Sequence, residues 1–134
     1  MAVLKFIKNV RGQAMTDTLK NKTIFITGAT AGFGLACAKL FVREGAKVVA
    51  TGRRQERLDN LREKLGNAVH AVTLDVRDRA AVEKAVASLP AGFAEVDVLI
   101  NNAGLAIGLD SYEKQALDDI ETRIETNING VLYS

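Results

Sequence analysis

Apolar residues in this chain alternate between two repeating patterns. Four short runs, Thr23–Thr27, Lys47–Thr51, Val69–Leu74 and Val96–Ile100, are rich in Val, Ile, Leu or Thr and predict strands. Between them, apolar positions recur at helical spacing over 32–44, 55–65 and 78–89, with Leu58, Leu61 and Leu65 on one stripe and Val82, Val86 and Leu89 on another. Gly45 and Gly66 stand where C-caps are expected, Asp78 where an N-cap is expected, and Pro90 ends the third helix. A last helical stretch, 117–134, carries its stripe on Leu117, Ile120, Ile124, Ile128 and Val131. Asparagine is a poor helix-interior residue, so Asn127, Asn129 and Gly130 predict a local break there.

Regular strand–helix alternation predicts an α/β protein: a three-layer αβα, Rossmann-like, doubly wound parallel sheet with helices on both faces. Right-handed crossovers leave a ligand crevice beyond the strand C-termini. Residues 1–20 do not fit this pattern and read as a poorly ordered extension, leaving 21–134 as the nucleotide-binding domain. Within the extension, residues 1–14 carry Lys5, Lys8 and Arg11 and no acid, a weak amphipathic-leader pattern interrupted by Gly12. A plainer reading makes Met15 the natural start.

Composition narrows the class. With 134 residues, 48% hydrophobic and 25% charged, the chain has the size and make-up of one globular domain with a substantial core. A formal charge of +2 does not argue for nucleic acid or an anionic membrane as partner. No apolar run reaches the length of about 18 residues that a membrane span needs. One cysteine, Cys37, excludes an internal disulfide and fits the reducing cytoplasm. Cys37 and the single histidine, His70, lack neighbours at metal-ligand spacing and read as structural, so no metal site is expected.

The chemistry-bearing residues fall at the ends of the expected strands. After the first comes Gly28-Ala-Thr30-Ala31-Gly32-Phe33-Gly34, a strand-to-helix turn of the kind that seats a phosphate on helix N–H groups; the plain alternative is a tight glycine corner. After the second comes Gly52-Arg53-Arg54. An NAD-binding version of such a fold places an acid here for the ribose 2′-hydroxyl. Gly52 leaves that position empty, and the guanidinium groups suit a 2′-phosphate, or else simply begin a charged helix. Asp75 and Val76 end the third strand, where a carboxylate can accept from an adenine amino group or merely shape a turn. The fourth ends in Asn101-Asn102-Ala103-Gly104, with amides able to brace backbone and small residues that let a ribose lie close.

Thr27-Gly-x3-Gly32-x-Gly34, Asp75, Asn101-Asn-Ala-Gly104 and Asn127, in this order and with these gaps, resemble the short-chain dehydrogenase/reductase family from about Lys22 to the last residue. Residues 28–34, 50–58, 87–90 and 101–106 are most similar to its NADP-dependent 3-hydroxy acid dehydrogenases that act on serine and allo-threonine. That resemblance implies NADP(H) as cofactor, bound through Gly28, Thr30, Ala31, Gly32, Phe33, Gly34, Arg53, Arg54, Asp75, Val76, Asn102, Ala103 and Gly104. It implies a small hydroxy acid or carbonyl substrate and a homo-oligomer at full length. In the family a tyrosine, its pKa lowered by a lysine, is general acid/base. A serine orients the substrate, and the asparagine matching Asn127 holds a water in a proton relay. Tyr112 and Lys114 lack the Tyr-x-x-x-Lys spacing and Tyr133 has no lysine after it. The expectation is therefore the N-terminal, adenosine-binding part of such an enzyme, inactive by itself, with an uncovered apolar sheet edge. The alternative is a non-catalytic nucleotide-binding or interaction module built on the same half-fold.

Overall fold

The structure is a computed structural model and describes residues 19–106 and 116–134. The expected leader, and the Tyr112–Lys114 pair, lie outside the described residues. In order, the elements are β1 (Thr23–Ile26), α1 (Gly32–Arg43), β2 (Lys47–Gly52), α2 (Gln55–Leu65), β3 (Val69–Thr73), α3 (Arg79–Ala87), β4 (Val98–Ile100), α4 (Leu117–Ile124), a π-helical turn (Glu125–Asn129) and α5 (Gly130–Tyr133). A 3₁₀ turn, Gly66–Ala68, leads into β3. The strands form one parallel sheet in the order β3-β2-β1-β4.

Alternate residues of the central strands supply two cores. Ile24, Ile26, Val48 and Ala50 pack with Ala38 of α1 and Leu58 and Leu61 of α2 on one face. Phe25 and Val49 meet Leu74, Val82 and Ala85 on the other, with Tyr133 against them. A strand apolar on both faces is what a sheet between two helix layers requires. The folded unit takes in Leu19, which packs on the first cluster two residues before the expected domain start. Cys37 is a partly buried member of that cluster. His70 stacks obliquely on Phe93 with ring centres 5.5 Å apart; burial, then Arg62, lowers its pKa.

The helix ends follow the sequence. Asp78 caps α3 by accepting from Ala81 N–H at 3.0 Å. Gly45 closes α1 at φ +85°, with Gly45 N–H donating to Val42 O and Ala46 N–H to Phe41 O. Three expectations need correction. The fourth strand starts at Val98, not Val96, because the Asp97 carboxylate is spent accepting from Thr23 N–H at 2.8 Å and Lys22 Nζ at 2.6 Å. On α3 the buried stripe is Val82 and Ala85, while Val86 is half exposed. The stripe expected on the last helix is not a buried one, since Leu117, Ile124, Ile128 and Val131 are exposed, while the local break expected there is present as a π-turn at Glu125–Asn129.

Strands β2 and β3 lie to one side of β1 and β4 to the other. The chain thus reverses its direction of travel at β1, and the strand C-termini there open a crevice.

Candidate functional site

That crevice is a groove of about 640 Å³. Every residue expected to hold a cofactor lines it except Gly34, so the glycine turn, the paired arginines and the asparagine strand end share one surface.

The glycine turn is shaped by three different demands. Gly28 adopts φ +67°, and a Cβ there would lie 2.9 Å from Ala103 Cα. Gly32 adopts φ +52° with nothing within 4 Å of its missing Cβ, so what it needs is the backbone conformation. Gly34 lies beneath the groove, where a Cβ would be 2.4 Å from both Gly28 O and Asn102 Nδ2. The start of α1 has Ala31 as N-cap and no side-chain cap, and no acid stands in its first turn. Its first N–H groups and the positive end of the helix dipole therefore face the groove without a protein anion. Phe33 projects beside them, 86% exposed.

Asn102 joins this turn to β4. Its Nδ2 donates to Thr27 O and Gly28 O, each at 3.0 Å. Thr27 answers from the other side: its buried Oγ1 accepts from Asn102 N–H and Ala103 N–H, each at 3.0 Å. Sequence reasoning found the asparagine and passed over Thr27 as a site residue. The signal was a hydroxyl at a buried strand end, where an unpaired polar group is costly.

The second strand end carries the charge. Gly52 is buried, and a Cβ on it would lie 2.8 Å from Thr30 Cγ2. Arg53 and Arg54 follow, exposed at the groove rim, and neither forms an ion pair among the described residues. Opposite them, Asp75 is not free. Arg77 donates to it through Nε at 3.0 and 3.1 Å and through Nη2 at 2.6 Å, and Arg77 N–H donates to Oδ1 at 3.1 Å. The hydrogen bonds from Arg77 hold the Asp75 carboxyl below its ordinary pKa, and Arg53 adds to the effect. Arg77 Nη1 also reaches Glu125 Oε2 at 4.0 Å, at the first residue of the π-turn. Sequence reasoning missed this arginine, for which the Asp-x-Arg spacing was the available sign. Val76 is buried and packs on α5, where a Cβ at Gly130 would meet Val76 Cγ2 at 2.7 Å.

Asn127 is placed beside the groove, not in its lining. Its side chain is taken up at both ends by Leu105: Oδ1 accepts from Leu105 N–H at 2.8 Å, and Nδ2 donates to Leu105 O at 3.0 Å. Leu105 and Thr126, neither of them anticipated, complete the wall. No group of three or more His, Cys, Asp or Glu side chains suited to a metal occurs among the described residues, and no helix among them is long and apolar enough to cross a membrane.

The family model for short chain dehydrogenases matches residues 22–134. An NADP-dependent 3-hydroxy acid dehydrogenase of Escherichia coli (strain K12) is 50% identical over 110 residues, which is 82% of this chain and 44% of that protein. A serine 3-dehydrogenase of Agrobacterium fabrum (strain C58) is 54% identical over the same length and the same shares. Among solved structures, the closed form of a serine dehydrogenase complexed with NADP⁺ superimposes with a TM-score of 0.81 at 50% identity, covering 83% of this chain and 45% of that one. This chain thus spans less than half the length of the curated relatives it matches.

Proposed function

This chain belongs to the short-chain dehydrogenase family, and we propose that its groove holds the adenosine end of NADP(H) in an enzyme that interconverts a small hydroxy acid, of the serine or allo-threonine kind, with its carbonyl form. Residues 21–134, together with Leu19 packed on the first core, form its nucleotide-binding domain. The observation that carries the choice of cofactor is the rim at Gly52: two guanidinium groups without ion-pair partners among the described residues follow the position where an NAD-binding fold places an acid.

The residues present fit such a ligand. The uncapped start of α1, at Gly32, Phe33 and Gly34, offers N–H groups to a diphosphate. Arg53 and Arg54 pair with the 2′-phosphate, since a guanidinium matches phosphate oxygens two at a time. Asp75, fixed by Arg77, accepts from the adenine amino group, while Val76 bounds the ring. Asn102 holds the glycine turn open, and Ala103 and Gly104 leave room for ribose. When bound, the nicotinamide supplies or accepts the hydride. Asn127, held by Leu105 within the π-turn, is the catalytic residue these positions contribute, as the holder of a water in the proton relay.

Titration of the chain with NADPH, NADH and 2′,5′-ADP tests the reading. NADPH should bind more tightly than NADH. Arg53→Ala with Arg54→Ala should cost NADPH about tenfold to a hundredfold in affinity, the worth of one or two charge-assisted hydrogen bonds, and leave NADH nearly unchanged. Equal losses for both cofactors would remove the assignment.

A further inference from the structure

We infer that Thr30 is a specificity-determining residue: its side chain fills the space above Gly52 and so bars from the end of β2 the acidic side chain that would read an unphosphorylated ribose. The inference rests on the NADP(H) reading and deepens it. Arginines attract a 2′-phosphate; Thr30 excludes the competing solution.

The argument is steric. A Cβ built on Gly52 lies 2.8 Å from Thr30 Cγ2, 3.2 Å from Thr30 Oγ1 and 3.6 Å from Thr30 Cβ. Rotation of Thr30 relieves this only in part: the shortest contact can lengthen from 2.8 to 3.2 Å, which is still tight for a Cβ. Both of its heavy substituents already occupy the two staggered positions nearest residue 52, and only the hydrogen occupies the third. Any staggered rotamer of a β-branched side chain fills two of the three positions, so at least one heavy atom always faces Gly52. A serine, with one heavy substituent, could turn it away; threonine cannot.

Retreat of the backbone is blocked as well. Ala29 N–H donates to Thr51 O at 2.8 Å, which ties the glycine turn to β2 one residue from each of the two contact partners. Thr51 Oγ1 donates to Ile26 O at 3.2 Å, and Leu74 N–H donates to Gly52 O at 2.9 Å. Both sides of the contact are therefore fixed to the sheet. An acid at position 52 must break one of these bonds or distort the turn that faces the phosphates.

Two readouts on the 134-residue chain test this. The first needs no cofactor: the melting temperature of Gly52→Ala in three settings. The substitution should lower it by several degrees alone and together with the isosteric Thr30→Val, and much less together with Thr30→Ala, where only the contact at 3.6 Å is left. The second is the affinity for NADPH and NADH of the unaltered chain, Gly52→Asp, and Gly52→Asp with Thr30→Ala or Thr30→Val. NADH affinity should rise about tenfold in Gly52→Asp with Thr30→Ala over Gly52→Asp alone, the worth of one hydrogen bond to a charged group, and not with Thr30→Val. An unaltered chain that binds NADPH no better than NADH overturns the functional reading and this inference with it. A preference for NADPH, combined with the same Gly52→Ala melting loss whatever stands at position 30, overturns the Thr30 inference alone.

Discussion

Asn127 and Leu105 are joined twice, Leu105 N–H donating to Asn127 Oδ1 at 2.8 Å and Asn127 Nδ2 donating to Leu105 O at 3.0 Å. The pair ties the segment after β4 to the π-turn, and only an amide can both accept and donate there. Asn127→Asp keeps the acceptor and sets a carboxylate against the Leu105 carbonyl, whereas Asn127→Leu removes both bonds. Each lost bond should cost about 0.5–1.5 kcal/mol, toward the lower end because the site is exposed to water. Amide hydrogen exchange separates the two variants. Leu105 should exchange faster in Asn127→Leu and stay protected in Asn127→Asp, though both melt earlier than the parent chain.

Thr27 serves two N–H groups with one oxygen, those of Asn102 and Ala103. Thr27→Val keeps the shape of the side chain and leaves both donors without their partner, at a cost toward the lower end of about 1–3 kcal/mol for each, since both N–H groups are only partly buried. Thr27→Ser should retain most of the stability, since the hydroxyl is kept. Urea unfolding followed by circular dichroism gives the comparison, and equal stabilities for Val and Ser would show that the hydroxyl is not what holds the two strand ends together.

Gly32 and Gly34 belong to one motif, yet their substitutions should fail differently. Gly34→Ala drives a methyl to 2.4 Å from the Gly28 carbonyl, which is backbone and cannot swing aside. Its cost should reach about 3 kcal/mol or more, the upper range for overpacking. Gly32→Ala meets no neighbour within 4 Å and pays only for φ +52°, about 1–2 kcal/mol. Its methyl enters the groove, however, so nucleotide affinity should fall out of proportion to stability. Melting curves and nucleotide titration on the same two variants decide the matter.

The frame of this fold was legible because its signals are local. Runs such as Ile24-Phe25-Ile26 and the stripe Leu58–Leu61 speak through their own spacing, and Gly45 and Asp78 mark helix ends within one turn. The groove residues were legible because strand C-termini in such a sheet must converge. What escaped depends on partners far along the chain. Thr27 bonds residues 75 and 76 positions away. The outward face of Val86 follows from how α3 sits on the sheet, and its periodicity fits Ala85 equally well. The contact of Thr30 with Gly52 joins two turns, and nothing in either turn alone announces it.

Asp75 and Arg77 give the site a defined acid sensitivity. Arg77 forms its bonds to the ionised carboxylate, so the folded-state pKa of Asp75 lies below the ordinary 3.8. A depressed carboxylate pKa stabilises the fold fully above the unfolded value, and that contribution is lost as pH falls through the folded one. Arg77→Gln removes the cation and most of the depression. The melting-temperature difference between the parent chain and Arg77→Gln should accordingly be constant from neutral pH down to about pH 5, shrink below about pH 4 and vanish in stronger acid. Both side chains are about a third exposed, which keeps the difference small and sensitive to salt. The ¹³C shift of the Asp75 carboxyl, followed through the same titration, locates the cause: its midpoint should move up toward 3.8 in Arg77→Gln. A midpoint that stays put would mean that Arg77 is only a neighbour of the adenine wall, while a shift with no matching change in melting would place the pairing in the unfolded chain as well.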